Sequence, residues 1–211
     1  MKKIIAVDGP AGAGKSTVSK IVASKLGYTY IDTGAMYRAV ALKSSRSTED
    51  LADIVEDINI ELDDRARVFL DGADVTKEIR TPEISKLASD VSKFPFVRKK
   101  LTELQRKMAT RGSVIMDGRD IGTQVLPNAD LKIFLTASLE ERARRRFEEL
   151  QAKGQTADLI AVKKEIALRD KQDSEREFAP LKKAVDAILI DSTNLTIDEV
   201  AGKILTLCST N

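Results

Sequence analysis

Hydrophobic positions along the chain change their spacing several times, and each change marks an element. Ile4 to Val7 is a short unbroken apolar run before a glycine-rich loop, the pattern of a strand buried in a parallel sheet. From Lys15 to Leu26, Val18, Ile21, Val22 and Leu26 recur at helical spacing, and Gly27 ends the run. Tyr28 to Ile31 is a second short strand. Asp32-Thr33-Gly34 then opens a helix to about Lys43, with Thr33 as its expected N-cap. This βαβα opening predicts an α/β fold, a parallel sheet wrapped by helices.

The middle of the chain alternates instead. Ile58 to Leu62 and Arg67 to Leu70 read as antiparallel strands, with Asp63-Asp64 between them and Asp71-Gly72 as a second turn. Pro82 to Val91 and Pro95 to Thr110 follow as helices, each with proline in its first turn. The α/β pattern then returns. Strands are expected at Ser113–Met116, Leu131–Leu135 and Ala187–Ile190, and helices at Ser138–Leu150, Val162–Arg176 and Thr196–Leu207, with Gly154 breaking the first of these helices.

Composition narrows the chemistry. Lys and Arg number 35 against 33 Asp and Glu, a net charge of +2 in 211 residues. No overall basic field of the kind that holds nucleic acid is expected. Positive charge gathers locally, in Arg142, Arg144, Arg145 and Arg146 and in Arg169 and Arg176. No apolar run approaches the ~20 residues of a membrane span. Met1 to Asp8 starts like a signal peptide, but its apolar run is too short and a glycine loop follows it. A cytosolic protein without a membrane partner is expected. Histidine is absent and Cys208 is the one cysteine. That excludes imidazole catalysis, His-bearing zinc sites, thiolate clusters and an intramolecular disulfide. Carboxylates, lysine, arginine and backbone amides are left to do the chemistry.

The loop Gly9-Pro10-Ala11-Gly12-Ala13-Gly14-Lys15-Ser16 fits G-x-x-x-x-G-K-[ST] in full, between a strand and a helix as that motif requires. Its amides can face a β-phosphate, Lys15 can bridge β- and γ-phosphates, and the Ser16 hydroxyl can reach Mg²⁺. The fold class expected is therefore a P-loop NTPase-type parallel sheet flanked by helices. A small antiparallel β-containing insertion and a helical lid are added to it. No Asn-Lys-x-Asp guanine-reading segment is present, which argues against a GTPase.

The loop through Thr17, then Asp32-Thr33-Gly34-Ala35-Met36-Tyr37-Arg38, Asp117-Gly118-Arg119-Asp120-Ile121-Gly122-Thr123 and Arg169-Asp170-Lys171-Gln172-Asp173-Ser174-Glu175-Arg176, share an order and spacing. Over essentially the whole chain they resemble bacterial cytidylate kinase. The Ile58 to Leu70 segment also resembles the extra β-segment of that family's monophosphate-binding region. The resemblance implies Mg²⁺-dependent transfer of the γ-phosphate of ATP to CMP or dCMP, a step of pyrimidine nucleotide metabolism. It implies one kinase domain: core 1–57, 91–147 and 177–211, monophosphate-binding insertion 58–90, lid 148–176. ATP and CMP or dCMP are the expected partners of a monomeric chain. Thr33 stands where the family often has Ser, and Ser16 where some members have Gly.

Roles follow by resemblance. Gly9 to Thr17 and Arg145 would hold ATP, with Arg142 and Arg146 as further candidates. Ser16, and Asp117 through water, would hold Mg²⁺. Arg38 and Arg119 would grip the CMP phosphate, beside Thr33. Asp120 and Ser89 would read the cytosine N4 amine, with Arg98 donating to the ring acceptors. Arg169 and Asp173 would meet the pentose, and Arg176 the acceptor or transferring phosphate. Lys15, Arg38, Arg119 and Arg176 are the expected catalytic residues. The physical sense is plain, since arginine forks bind phosphate bidentately and a carboxylate accepts from an exocyclic amine. From residue spacing alone, Asp120 could cap the next helix, and Arg169, Asp173 and Arg176 could form an ion-pair ladder. A related kinase, such as adenylate or shikimate kinase, and a nucleotide-gated switch remain the alternatives.

Overall fold

The apolar runs become strands and the helical spacings helices, as a computed structural model describes for residues 3–63, 65–110 and 112–210. In chain order the elements are β1 (Ile4–Asp8), α1 (Lys15–Leu26), β2 (Thr29–Asp32), α2 (Thr33–Arg46), α3 (Leu51–Glu56), β3 (Ile60–Leu62), β4 (Val68–Leu70) and β5 (Ala73–Asp74). Then come α4 (Pro82–Val91), α5 (Pro95–Ala109), β6 (Val114–Gly118), β7 (Leu131–Thr136), α6 (Leu139–Ala152), α7 (Leu159–Ser174), β8 (Ile188–Asp191) and α8 (Ile197–Thr210). A short 3-10 turn at Glu78–Arg80 and a π-helical turn at Ile121–Val125 complete the fold. Met1, Lys2 and Asp64, which figure in the sequence reading, lie outside the described residues.

Five parallel strands form the sheet in the order β2-β6-β1-β7-β8. Alternate side chains serve its two faces. Ala6, Ile31 and Met116 join one apolar cluster with α2, α4 and α5. Ile5, Val7, Ile115 and Ile133 join another with α1 and α8. The register sets Asp8 opposite Gly118 and Asp32 opposite Asp117, so the carboxyl ends of β1, β6 and β2 stand side by side. In open parallel sheets that edge is where ligands bind.

The insertion is an antiparallel sheet, β3-β4-β5, one short strand larger than the alternating pattern indicates. Ile60, Leu62, Val68 and Leu70 are buried and belong to the same cluster as Ala6 and Met116. Helices α6 and α7 instead share a small cluster of their own, Ala143, Val162 and Ile166.

Two local expectations are corrected. Asp32, not Thr33, caps α2, accepting the Ala35 N–H at 2.9 Å. The Thr33 hydroxyl is drawn away to donate to the Asp117 carbonyl at 2.7 Å. Helix α7 starts earlier than its apolar pattern indicates, capped by Asp158, and stops at Ser174. Arg176 therefore lies beyond the helix and shares no helical face with Arg169 and Asp173.

Candidate active site

A cleft of about 1350 Å³ opens over the carboxyl edge of the sheet, between the glycine loop at one end and the α4–α5 segment at the other. Gly9 cannot carry a side chain, because at φ +149° a Cβ would lie 1.9 Å from the Leu135 carbonyl oxygen. That close approach seats the loop on β7. Pro10 stands beside it and presents its carbonyl to Lys15, while Ala11, Gly12, Ala13, Gly14 and Thr17 line the cleft.

Lys15 is buried, and its ammonium donates to the Pro10 carbonyl at 2.7 Å. Burial first, and then the nearby Arg119 charge, push its pKa well below the ordinary lysine range. Ser16 Oγ donates to Asp117 Oδ2 at 2.7 Å, and the Tyr30 hydroxyl donates to Asp117 Oδ1 at 3.1 Å. Burial, helped by the Asp32 charge, raises the Asp117 pKa to about 6.

The other end of the cleft is built from arginine–carboxylate pairs. Arg98 meets Asp120 at 2.7 Å and stacks over the Tyr37 ring. Both groups are nearly dry, the side chains being 2% and 8% exposed. Asp120 uses its carboxylate on Arg98 and makes no side-chain cap to the turn that follows. Arg119 Nε donates to Asp173 Oδ2 at 2.9 Å, and Arg176 lies 3.5 Å from Asp173 Oδ1. Burial would raise the Asp173 pKa, but Arg119, Arg176 and Arg169 hold it below the ordinary value. Arg38 pairs with Asp32 at 3.2 Å. Arg169 lines the cleft, and burial followed by the field of Arg119 lowers its pKa to about 10. Among the described residues, buried nitrogens of Arg38, Arg98, Arg169 and Arg176 have no hydrogen-bond partner. Unpaired buried donors are costly. Here they surround a cavity and are donors for an anion or a heterocycle.

Thr33 and Ser89 also line this cavity, so every expected acceptor-side residue meets there. The α6 arginines divide. Arg145 faces the cleft but spends its fork on Glu141 and Ser192. Arg146 pairs with Glu149. Arg142 is buried and donates to the Ala11 and Ala137 carbonyls and to Asp170, whose carboxylate also accepts the Ala11 N–H. It braces the glycine loop.

Four residues escaped the sequence reading of roles. Arg80, from the 3-10 turn, donates to the same Asp32 oxygen that Arg38 approaches, at 3.0 Å. Asp8 accepts the N–H groups of Ile121 and Gly122 at 2.8 and 2.7 Å and so anchors the turn after Asp120. Asp170 holds the glycine loop, and Gln172 reaches Ser89. The one signal available was position inside the Arg169–Arg176 run for the last two; Arg80 and Asp8 had none.

The model of the cytidylate kinase family matches residues 5–210. This chain belongs to the cytidylate kinase family. It is accordingly an enzyme, a nucleoside monophosphate kinase. A cytidylate kinase of Caldicellulosiruptor bescii is 60% identical, with 98% of this chain and 96% of that protein covered. One of Caldicellulosiruptor saccharolyticus is 56% identical at the same coverage of both. Among solved structures, shikimate kinase of Bacteroides thetaiotaomicron aligns over 99% of both chains with a TM-score of 0.51 and 14% identity, a likeness of fold. The family match runs from within β1 into α8 and takes in every residue that lines the cleft.

Proposed function

We propose that the chain transfers the γ-phosphate of ATP in line to CMP and dCMP, with Mg²⁺, giving ADP and CDP or dCDP. The observation that carries this reading is one cleft holding a P-loop at one end and a dry Arg98–Asp120 pair at the other, with Arg38, Arg119, Arg169 and Arg176 between them. A switch protein has no use for a second phosphate site. On this reading residues 58–90 are the monophosphate-binding insertion, 148–176 the lid and the remainder the core.

The P-loop amides and Lys15 hold the donor, and Lys15 exchanges the Pro10 carbonyl for phosphate oxygen. The acceptor nucleophile is a phosphate oxygen, already ionised at neutral pH, so a chain without histidine lacks nothing. The difficulty is repulsion: two unit charges 4 Å apart at an effective permittivity of ~20 repel by about 4 kcal/mol. Arg38, Arg119 and Arg176 bring positive charge to where the phosphates approach, preorganised by Asp32 and Asp173. Closure of the lid would exclude water and limit hydrolysis.

Ser16 and Asp117 fit a Mg²⁺ site. They are adjacent hard oxygen donors, and the raised Asp117 pKa marks a buried negative charge that its two donors leave undercompensated. Among the described residues no three acidic, His or Cys side chains gather into a metal cage. That suits an ion taking its other ligands from water and phosphate. Bound there, Mg²⁺ would neutralise charge on the donor phosphates.

Asp120 keeps one oxygen for the cytosine N4 amine while Arg98 donates to ring acceptors. Uracil would turn a carbonyl to the carboxylate, a difference of ~1–3 kcal/mol per contact. Coupled ADP release across CMP, dCMP, UMP, AMP and shikimate tests the assignment. CMP and dCMP should lead, and Arg119→Ala should lose most of the CMP-dependent rate. ADP release without any acceptor, or unchanged CMP turnover in Arg119→Ala, would overturn it.

A further inference from the structure

Gln172 extends from α7 to the end of α4. Its Nε2 donates to the Ser89 carbonyl at 2.9 Å and to Ser89 Oγ at 3.0 Å. The carbonyl only accepts, which fixes the amide with its nitrogen towards Ser89; the hydroxyl oxygen must then accept as well. Its proton and one lone pair remain for the cavity that Ser89 lines. The Ser89 carbonyl is an orphan of the helix end, because Lys93 N–H turns back to Asp90. Ser92 Oγ shares that carbonyl at 2.8 Å, the Ser92 carbonyl accepts from Arg98 at 3.3 Å, and Arg98 pairs with Asp120. Ser89, Ser92, Arg98 and Asp120 thus form one hydrogen-bonded run, and Gln172 fastens its end to the helix that carries Arg169 and Asp173.

We propose that Gln172 is a positioning residue for the acceptor base: it fixes the Ser89 hydroxyl and joins the base-reading wall to α7. The inference rests on the acceptor reading above. Gln172 has no charge, and both its hydrogen bonds end on Ser89, on the acceptor side of the cleft.

Steady-state kinetics of the full chain, with Gln172→Leu and Gln172→Glu each alone and combined with Ser89→Ala, test it. The KM for CMP should rise roughly three- to tenfold in Gln172→Leu, the factor that one or two neutral hydrogen bonds contribute, while the KM for ATP stays put. Gln172→Glu keeps the shape but cannot donate to the carbonyl, so it should lose at least as much. In the Ser89→Ala background most of the Gln172→Leu effect should vanish. If Gln172 merely caps α4, the loss will be equal in both backgrounds, because the Ser89 carbonyl is still there. That equality, or a Gln172→Glu enzyme with unchanged KM for CMP, overturns the proposal and leaves the acceptor assignment standing. A wild-type chain that phosphorylates another monophosphate in preference to CMP overturns both.

Discussion

Replacing Asp8 with Asn isolates one buried charge. Asp8 is 4% exposed and accepts two backbone N–H groups, yet burial, the larger effect, lifts its pKa from the ordinary 3.8 to about 6. The folded chain therefore holds this proton more tightly than the unfolded chain does. Stability from this group is fully present below about pH 3.8 and is lost as pH rises to about 6. The whole change corresponds to about 3 kcal/mol, and about 2 kcal/mol of it falls between pH 4.5 and 7.5. Carboxylates with lowered pKa values, such as Asp173, act in the opposite sense, so the wild-type profile alone is not diagnostic. The difference between the two proteins is. Urea unfolding at a series of pH values should show Asp8→Asn gaining about 2 kcal/mol on wild type from pH 4.5 to 7.5. Its absolute stability should be lower at acid pH, because the amide nitrogen must face one of the two N–H donors. Parallel profiles for the two proteins would refute the reasoning.

Two further substitutions separate function from folding. Lys15→Met should cut kcat by about a hundredfold or more, the usual effect of removing one preorganised donor from a transition state. Its thermal midpoint should not fall, since burial makes the Lys15 charge unfavourable in the free protein; a clear drop would show Lys15 to be a structural cation. Gly9→Ala should do the reverse and abolish soluble, cooperative folding. The new methyl would lie 1.9 Å from a backbone oxygen that cannot rotate away, and a variant within about 1 kcal/mol of wild type in denaturation would contradict that.

Legibility of this chain follows the range of the forces involved. Strands β1 and β6 were readable because unbroken apolar runs have few other uses, β7 because Lys132 alone interrupts its run, and α1 because glycines bound it at both ends. Helix α3 was not, since its six residues are too short to show a period. The turn at Ile121–Val125 was not, because what holds it is Asp8, 113 residues earlier in the chain. The α2 cap went to Asp32 because Asp117 competes for the Thr33 hydroxyl, a partner from another strand. In the site, the residues singled out by the motifs and by the resemblance line one cleft, Gly9, Pro10 and Arg142 apart. Those that act on other residues were hidden. Arg142 sits in an arginine-rich helix and differs from its neighbours only in facing Ala11 and Asp170, and Arg80 is an isolated arginine whose partner is remote.

The glycine loop carries one more consequence. Lys15 rests on the Pro10 carbonyl, the Ala11 N–H on Asp170 and the Ser16 hydroxyl on Asp117. A triphosphate arriving here exchanges partners with these three donors. The same holds in reverse when the diphosphate leaves, because these three donors have protein oxygens to fall back on. The Lys15 ammonium, buried in the free protein, then returns to the Pro10 carbonyl. Each such exchange contributes less to affinity than an unpartnered donor would, because a protein hydrogen bond is given up for every one gained.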